Sequence, residues 1–369
     1  MPGDDHLKTM DGVERFAALK SMYFSGRRQA AERLVAAWKA ESPSAPFARY
    51  LAATLARHQL APAHAWATDF DAGFECGMRH PAHRPATRWW HGEDLANASI
   101  TIWAEEGLGD FIRHARHIRT VSRQAAAVTL HAPKKILPLL GACFPECQLT
   151  DDDSAIANSD WHIPSGSLDG LFWHPTESPQ SSGYMTLPQR SKPRSEGAIK
   201  VGVCSRSTKL SVERNINYTT LDTLAPIFID DQYQCHSLQY GDDPSELGAA
   251  SAAFARPVIT YPDRDFFDDL LALAHTIADM DIILATSTMV ADLASALGVA
   301  TVRFHGIATV TKETPDDDMD IAPSGLNPDH CWYSERTQIL YREAHVAWPD
   351  FFERIKPEFD NIVGTAREK

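Results

Sequence analysis

Hydrophobic positions change their spacing along this chain. From about residue 10 to 70 they recur at helical intervals, in a stretch rich in Ala, Leu, Arg and Glu and poor in β-branched residues, which predicts helices. Ser25-Gly26 breaks the first helical run, and Ser42-Pro43-Ser44 ends the second. From residue 98 short apolar runs alternate with amphipathic stretches. The pattern predicts strands at 98–104, 127–131 and 161–163 and helices at 111–124 and 133–144. A stretch rich in Pro, Ser and Gly at 175–196 reads as a linker. The alternation then resumes, with strands at 199–204, 233–238, 281–285 and 300–304. Helices are predicted at 219–228, 265–280, 288–297 and 348–363. Short strands alternating with helices, twice over, predict two doubly wound parallel sheets facing each other, with ligands at the carboxyl ends of the strands.

This divides the chain into a helical segment (1–80), a first Rossmann-like domain (81–190), a second (191–345) and a C-terminal helix (346–369). Residues 71–95 read as an ordered loop pinned by Trp89 and Trp90. In the helical segment, Gly26, Ala31 and Pro43 have the spacing of a tetratricopeptide repeat's turn glycine, packing residue and terminal proline. Ala65 follows Ala31 at that repeat's 34-residue period. An unrelated helical hairpin is the alternative. Such a segment is expected either to cap the next domain or to present a face to an acceptor.

Length and charge narrow the class. The chain has 369 residues and a formal net charge of -14, which disfavours general nucleic-acid binding. No run of 18 apolar residues predicts a membrane span, and the acidic N-terminus lacks a signal-peptide pattern, so a cytoplasmic location is expected. The six cysteines are too scattered for a zinc site and read as free thiols.

Four strand-to-loop junctions carry candidate chemistry. Glu105-Glu106-Gly107-Leu108-Gly109-Asp110 places Gly107 and Gly109 where backbone approaches a ligand closely. It lacks the third glycine of the dinucleotide fingerprint. Asp110 suits a general base at the cleft mouth, with Glu106 as its neighbour, or it caps its helix. Ala285-Thr286-Ser287-Thr288 opens a helix with hydroxyls and free N–H groups, a natural diphosphate site for Ser287 and Thr288, or simple capping. Asp292 is unusual on that small, apolar helix. Gln239 and Tyr240 leave a strand where they can read a nucleobase. Arg206 and Lys209, with Arg214 beyond, can balance phosphate charge or belong to a solvated loop. The run Asp316-Asp317-Asp318 lies beside Pro315 in a loop and reads as solvated, not as a metal site.

Taken in order, these residues resemble the glycosyltransferase-like domain that often follows tetratricopeptide repeats in bacterial proteins. The resemblance covers 89–355. Trp90-His91-Gly92-Glu93-Asp94-Leu95 is similar to that family's W-x-G-x-x-L, and Glu106-Gly107-Leu108-Gly109-Asp110 to its E-Q-G-L-G-D. Ser237-Leu238-Gln239-Tyr240-Gly241-Asp242 resembles its L-Q-Y-G-D. Met280-Asp281-Ile282-Ile283 resembles its L-D-L-V, and the stretch from Ala291 to Gly298 its A-H-L-A-G-A-L-G. Trp332-Tyr333-Ser334 and Ala347-Trp348 resemble its closing motifs. The family is similar to bacterial heptosyltransferases and, more distantly, to protein O-glycosyltransferases. The resemblance implies the GT-B fold, a nucleotide-sugar donor, a protein or glycan acceptor, inversion and neither metal nor cofactor.

The sequence departs from the family at the contacts expected for phosphate and sugar. Asp292 stands where the family has His, and Cys204-Ser205-Arg206-Ser207 where it has W-x-G-N or W-R-S-G. Gly306-Ile307-Ala308-Thr309 replaces a tryptophan-rich loop. These departures keep a second reading open, a nucleotide-sugar-binding or interaction module without turnover, and a third, a nucleotide-sugar enzyme such as an epimerase.

Overall fold

The computed structural model describes residues 4–24, 27–58, 61–79, 88–105, 107–172, 183–188, 197–207, 215–241, 243–307, 334–343 and 345–368. Two parallel sheets organise them. The first contains β1 (Ser99–Trp103), β2 (Ala127–His131), β3 (Gln148–Thr150) and β4 (Trp161–Pro164), in the order β3-β2-β1-β4. The second contains β5 (Ile199–Cys204), β6 (Tyr233–Ser237), β7 (Ile282–Thr286), β8 (Thr301–Ile307) and β9 (Thr337–Glu343), in the order β6-β5-β7-β8-β9. In both sheets the order reverses at the first strand, so the crevices lie between β1 and β4 and between β5 and β7. Every residue of β7 is buried, as expected for a central parallel strand covered on both faces.

The expected strands are present, and two short-range features went unread. β3 and β9 are edge strands: β3 has only three residues, and β9 (T-Q-I-L-Y-R-E) carries an apolar run of only three, between polar ends. The helix read at 111–124 starts earlier, at Leu108, and continues through a 3-10 turn (Ala115–His117) into Ile118–Ser122.

Ahead of the sheets lie helices α1 (Asp4–Thr9), α2 (Gly12–Phe24), α3 (Arg28–Glu41) and α4 (Pro46–His58). Leu19, Ala31, Val35, Ala48 and Leu51 form their common core. Gly26, the turn residue of the repeat reading, is outside the described residues. The remaining helices that matter here are α5 (Leu108–His114), α6 (Leu137–Cys143), α7 (Leu168–Phe172), α8 (Pro244–Ala253), α9 (Leu270–Ala278), α10 (Met289–Ala296) and α11 (Trp348–Glu368). Among the described residues no helix is long and apolar enough to cross a membrane.

Two features of the packing position the site. First, the sheets share one apolar core. α5 packs on α10 and α6 on α9, so Ile102, Phe111 and Leu139 of the first sheet's layer join Leu273, Val290 and Leu293 of the second. A large apolar contact opposes free domain motion. Second, buried ion pairs weld the N-terminal segment to the first sheet. Arg79 is wholly buried and holds Glu105 through both carboxylate oxygens (Nε–Oε2 2.7 Å), Asp71 at 2.7 Å and the Ser167 hydroxyl at 3.0 Å. Asp169, also wholly buried, meets Arg57 of α4 at 2.9 Å, Arg116 at 3.0 Å, His114 at 2.9 Å and His117 at 2.8 Å. Burial acts most strongly and raises its pKa, but His114, Arg116 and His117 together hold the carboxyl well below the usual range. The helices therefore cover the first domain as structural partners.

Candidate functional site

The crevice of the first sheet is filled from within. Glu105 leaves β1 with its side chain fully buried. Besides Arg79 it accepts the Gly166 amide at 2.8 Å, from the loop after β4. A β-carbon on Gly166 would collide with Glu105 and approach Arg79. Glu105 is thus a structural anion that fixes the loops following β1 and β4.

Asp110 lies in the first turn of α5. Its carboxylate accepts the Gly107 amide at 3.2 Å and pairs with Arg113 one turn on. This is a capping arrangement, and the side chain remains 32% exposed. Burial raises its pKa, but Arg113 and then His114 outweigh it, so the carboxyl lies below the ordinary aspartate value. It is ionised at neutral pH and open to solvent on one side.

Gly109 brings this turn against the second domain. A β-carbon there would strike the Asp292 carboxylate and sit 3.6 Å from the Met289 backbone. Glycine at this position therefore leaves room for the Asp292 carboxylate where α5 approaches α10. Asp292 is buried and pairs with Arg303 of β8 at 2.8 Å. The Arg303 guanidinium also donates to Ser287 Oγ at 2.6 Å and to His305 Nε2 at 2.9 Å. Ser287, Asp292 and Arg303 thus form one cluster at the start of α10. Thr288 is the cap residue of α10, but its hydroxyl donates to the Thr286 carbonyl (3.3 Å) and the Cys204 sulfur (3.6 Å).

The other two junctions meet at the ends of β5 and β6. Gln239 is buried, and its amide is already used: Oε1 accepts from the Ser205 and Arg206 amides at 3.2 Å each, and Nε2 donates to the Arg206 carbonyl at 2.8 Å. It fastens the β5 loop instead of presenting a free edge to a base. Arg206 pairs with Glu246 of α8 at 2.5 Å. A small pocket lies between them, lined by Val203, Ser205, Arg206, Ser237, Gln239 and Glu246 among others. Tyr240 is half-buried beside Phe267, its hydroxyl 3.5 Å from Ser207 Oγ.

The structure therefore brings Asp110, Gly109, Ser287 and Asp292 together and groups Arg206, Gln239 and Tyr240 separately. Glu106, Lys209, Arg214 and Asp316–Asp318 lie outside the described residues. Sequence reasoning missed Arg303 and Arg79. Arg303 had a signal, a cation inside an apolar strand (T-V-R-F), whereas Arg79 sits in a loop that gave none.

No protein-family model matches the chain. Protein FlbA of Caulobacter vibrioides is 22% identical over 254 residues, 62% of this chain and 42% of FlbA, so the chain spans about two fifths of that relative's length. Among solved structures, the glycosyl transferase family 9 protein of Veillonella parvula has a TM-score of 0.51 at 9% identity, covering 74% of this chain and 99% of its own. ADP-heptose lps heptosyltransferase II of E. coli has a TM-score of 0.49 at 14% identity, covering 73% and 99%. The Veillonella likeness is one of fold. This chain shares that structure's paired parallel-sheet architecture.

Proposed function

We propose that the chain is a GT-B glycosyltransferase that moves a sugar from a nucleoside-diphosphate donor to a hydroxyl of a protein or glycan, with inversion and without metal. The observation that carries this reading is the buried Arg303 guanidinium at the carboxyl end of the second sheet, bonded to Ser287 at the start of α10 and to Asp292, against which Gly109, the neighbour of Asp110, packs across the domain contact. A leaving diphosphate needs fixed positive charge and free N–H groups, and this junction offers both. In this reading Asp110 is the base, Ser287 and Arg303 hold the diphosphate, and Tyr240 and the β5 loop, with Arg206, face the nucleoside. Gly107 and Gly109 allow the close approach. Thr288 and Gln239 support these loops.

The test is a panel of nucleotide sugars scored for donor turnover and for melting shifts with the matching nucleoside diphosphates. A bound diphosphate at 100 times its dissociation constant should stabilise the fold by about 2.7 kcal/mol. No shift with any common nucleoside diphosphate at millimolar concentration would count decisively against the reading. Turnover should survive a chelator, and loss restored by magnesium or manganese would overturn metal independence.

A specific observation favours the second reading in its form as an interaction module without turnover: the Asp292 carboxylate occupies Arg303, where donor phosphate would bind. The two readings predict opposite results for Asp292→Asn. If Arg303 serves a diphosphate, removing its competitor should tighten nucleoside diphosphate binding by about tenfold or more, since a charge-assisted hydrogen bond is worth roughly 1.5–3 kcal/mol. If the pair only locks α10, calorimetry should show unchanged affinity and thermal melting should show lost stability.

A further inference from the structure

The helical segment also reaches the second domain. Trp66 and Phe70, both buried, pack with Ala53 of α4 into a small apolar cluster, and Ile339 of β9 packs against it. The Trp66 indole donates to the Ala61 carbonyl at 3.0 Å. The Arg57 guanidinium lies over both rings, 4.1 Å from the centroid of Phe70 and 5.1 Å from that of Trp66. The same Arg57 holds Asp169 of α7 at 2.9 Å, and a β-carbon on Gly170 of α7 would collide with Ala67. One cluster therefore touches both the first domain and the edge strand of the second.

The register of the second sheet gives this contact its meaning. Ile339 is the partner of Arg303 across the parallel β8–β9 pairing, and Leu340 is the partner of Phe304. Phe304 and Leu340 join the core beneath α11. Side chains alternate between faces along a strand, so Arg303 and Ile339 stand together on the opposite face, on strands about 5 Å apart. From that face Arg303 reaches Asp292 at 2.8 Å and Ser287 at 2.6 Å. β9 ends its sheet, so Arg303 is one strand from the edge. A guanidinium on a long stem loses rotamer freedom when it is fixed, and water beside it weakens its ion pair. A β-branched isoleucine, stiff at χ1 and backed by aromatic rings, limits both effects.

We infer that the helical segment sets the position of Arg303: Trp66 and Phe70 back Ile339, and Ile339 walls the guanidinium toward Asp292 and Ser287. Ile339 and Trp66 are then positioning residues that touch no reacting group. The consequence for a donor rests on the reading of Arg303 as the diphosphate's cation. The placement of Arg303 does not.

The test compares Ile339→Ala with Leu340→Ala in the full chain, because these neighbours are similar in size and lie on opposite faces of β9. Trp66→Phe trims the backing and keeps a ring. The Arg303 Nε–H, which donates to His305 Nε2 at 2.9 Å, is followed by isotope-edited NMR and identified by its loss in Arg303→Lys. Its exchange with water should accelerate about fivefold in Ile339→Ala, the factor that about 1 kcal/mol of lost protection gives. It should also accelerate in Trp66→Phe. Leu340→Ala should lower the melting temperature and leave that exchange as in the parent. The inference is overturned if Ile339→Ala or Trp66→Phe exchanges at the parent's rate. It is equally overturned if Leu340→Ala accelerates exchange as much as Ile339→Ala does, since the effect would then be general loosening. ADP, GDP and UDP are titrated in parallel. Any that the parent binds should bind about fivefold more weakly to Ile339→Ala and equally well to Leu340→Ala. If exchange accelerates and that affinity does not change, the helices position Arg303 but Arg303 does not hold the diphosphate. If the parent binds none of the three, the transfer reading falls, and the exchange rates still decide whether the helices position Arg303.

Discussion

Arg79→Met should lower the unfolding free energy by about 3–5 kcal/mol, because it leaves a buried carboxylate without its cation. Arg79 and the Glu105 side chain are both fully buried, and the pair is bidentate. Methionine fills much of the volume but supplies no donor to Glu105, Asp71 or Ser167. The double replacement Arg79→Met with Glu105→Met should recover a large part of the loss, since it removes the stranded charge as well. Recovery should be incomplete, because the Gly166 amide loses its acceptor. Denaturant unfolding of the three variants measures this. A single-variant loss under about 1 kcal/mol would mean that water reaches Glu105 and that the weld is not a true interior ion pair. The same reasoning bears on the helical segment. A chain starting near Ala82 lacks Arg57 and Arg79, so Asp169 and Glu105 both lose a cation. Such a truncation should precipitate instead of yielding a folded domain that has lost only its acceptor.

The local pattern was sufficient for most strands because parallel strands buried on both faces are continuous apolar runs, such as I-I-L-A-T at β7. The helix-opening hydroxyls and the paired glycines were also legible, since capping and close approach depend on residue types within one turn. What the pattern could not convey is partnership across long separations. Gln239 reads as a free amide until the β5 loop, more than thirty residues away, is seen to consume it. Asp292 reads as a lone carboxylate in the cleft until Arg303 is placed on the neighbouring strand by the β7–β8 pairing. The repeat-like helices read either as a cap on the next domain or as a face for an acceptor, and the Arg57–Asp169 and Arg79–Glu105 contacts show them covering it. Each concerns charge satisfaction in three dimensions, to which hydrophobic periodicity is blind.

Asp110→Asn should lower sugar transfer at least about 100-fold while leaving nucleoside diphosphate affinity within a few-fold of the parent, because a positioned base is worth roughly 10²–10⁴ in rate. An acceptor hydroxyl attacks well only as its proton departs, and a carboxylate can take that proton while remaining remote from the diphosphate. Asp110 meets the geometric need by lying beside Gly109, the residue in contact with Asp292 across the domain junction, with part of its carboxylate exposed. The pairing with Arg113 acts in two directions. It keeps the carboxylate ionised below the ordinary aspartate pKa, so the acid limb of kcat/KM should lie lower than for an unpaired aspartate. It also weakens the base, so Arg113→Gln should move that limb to higher pH. Asparagine preserves the cap to the Gly107 amide through its carbonyl oxygen, so stability should change little. A variant that keeps near-full turnover would make Asp110 only the cap of α5. The proton would then have to leave through Glu106, which precedes Gly107 in the sequence, or through Asp292, which would first have to release Arg303.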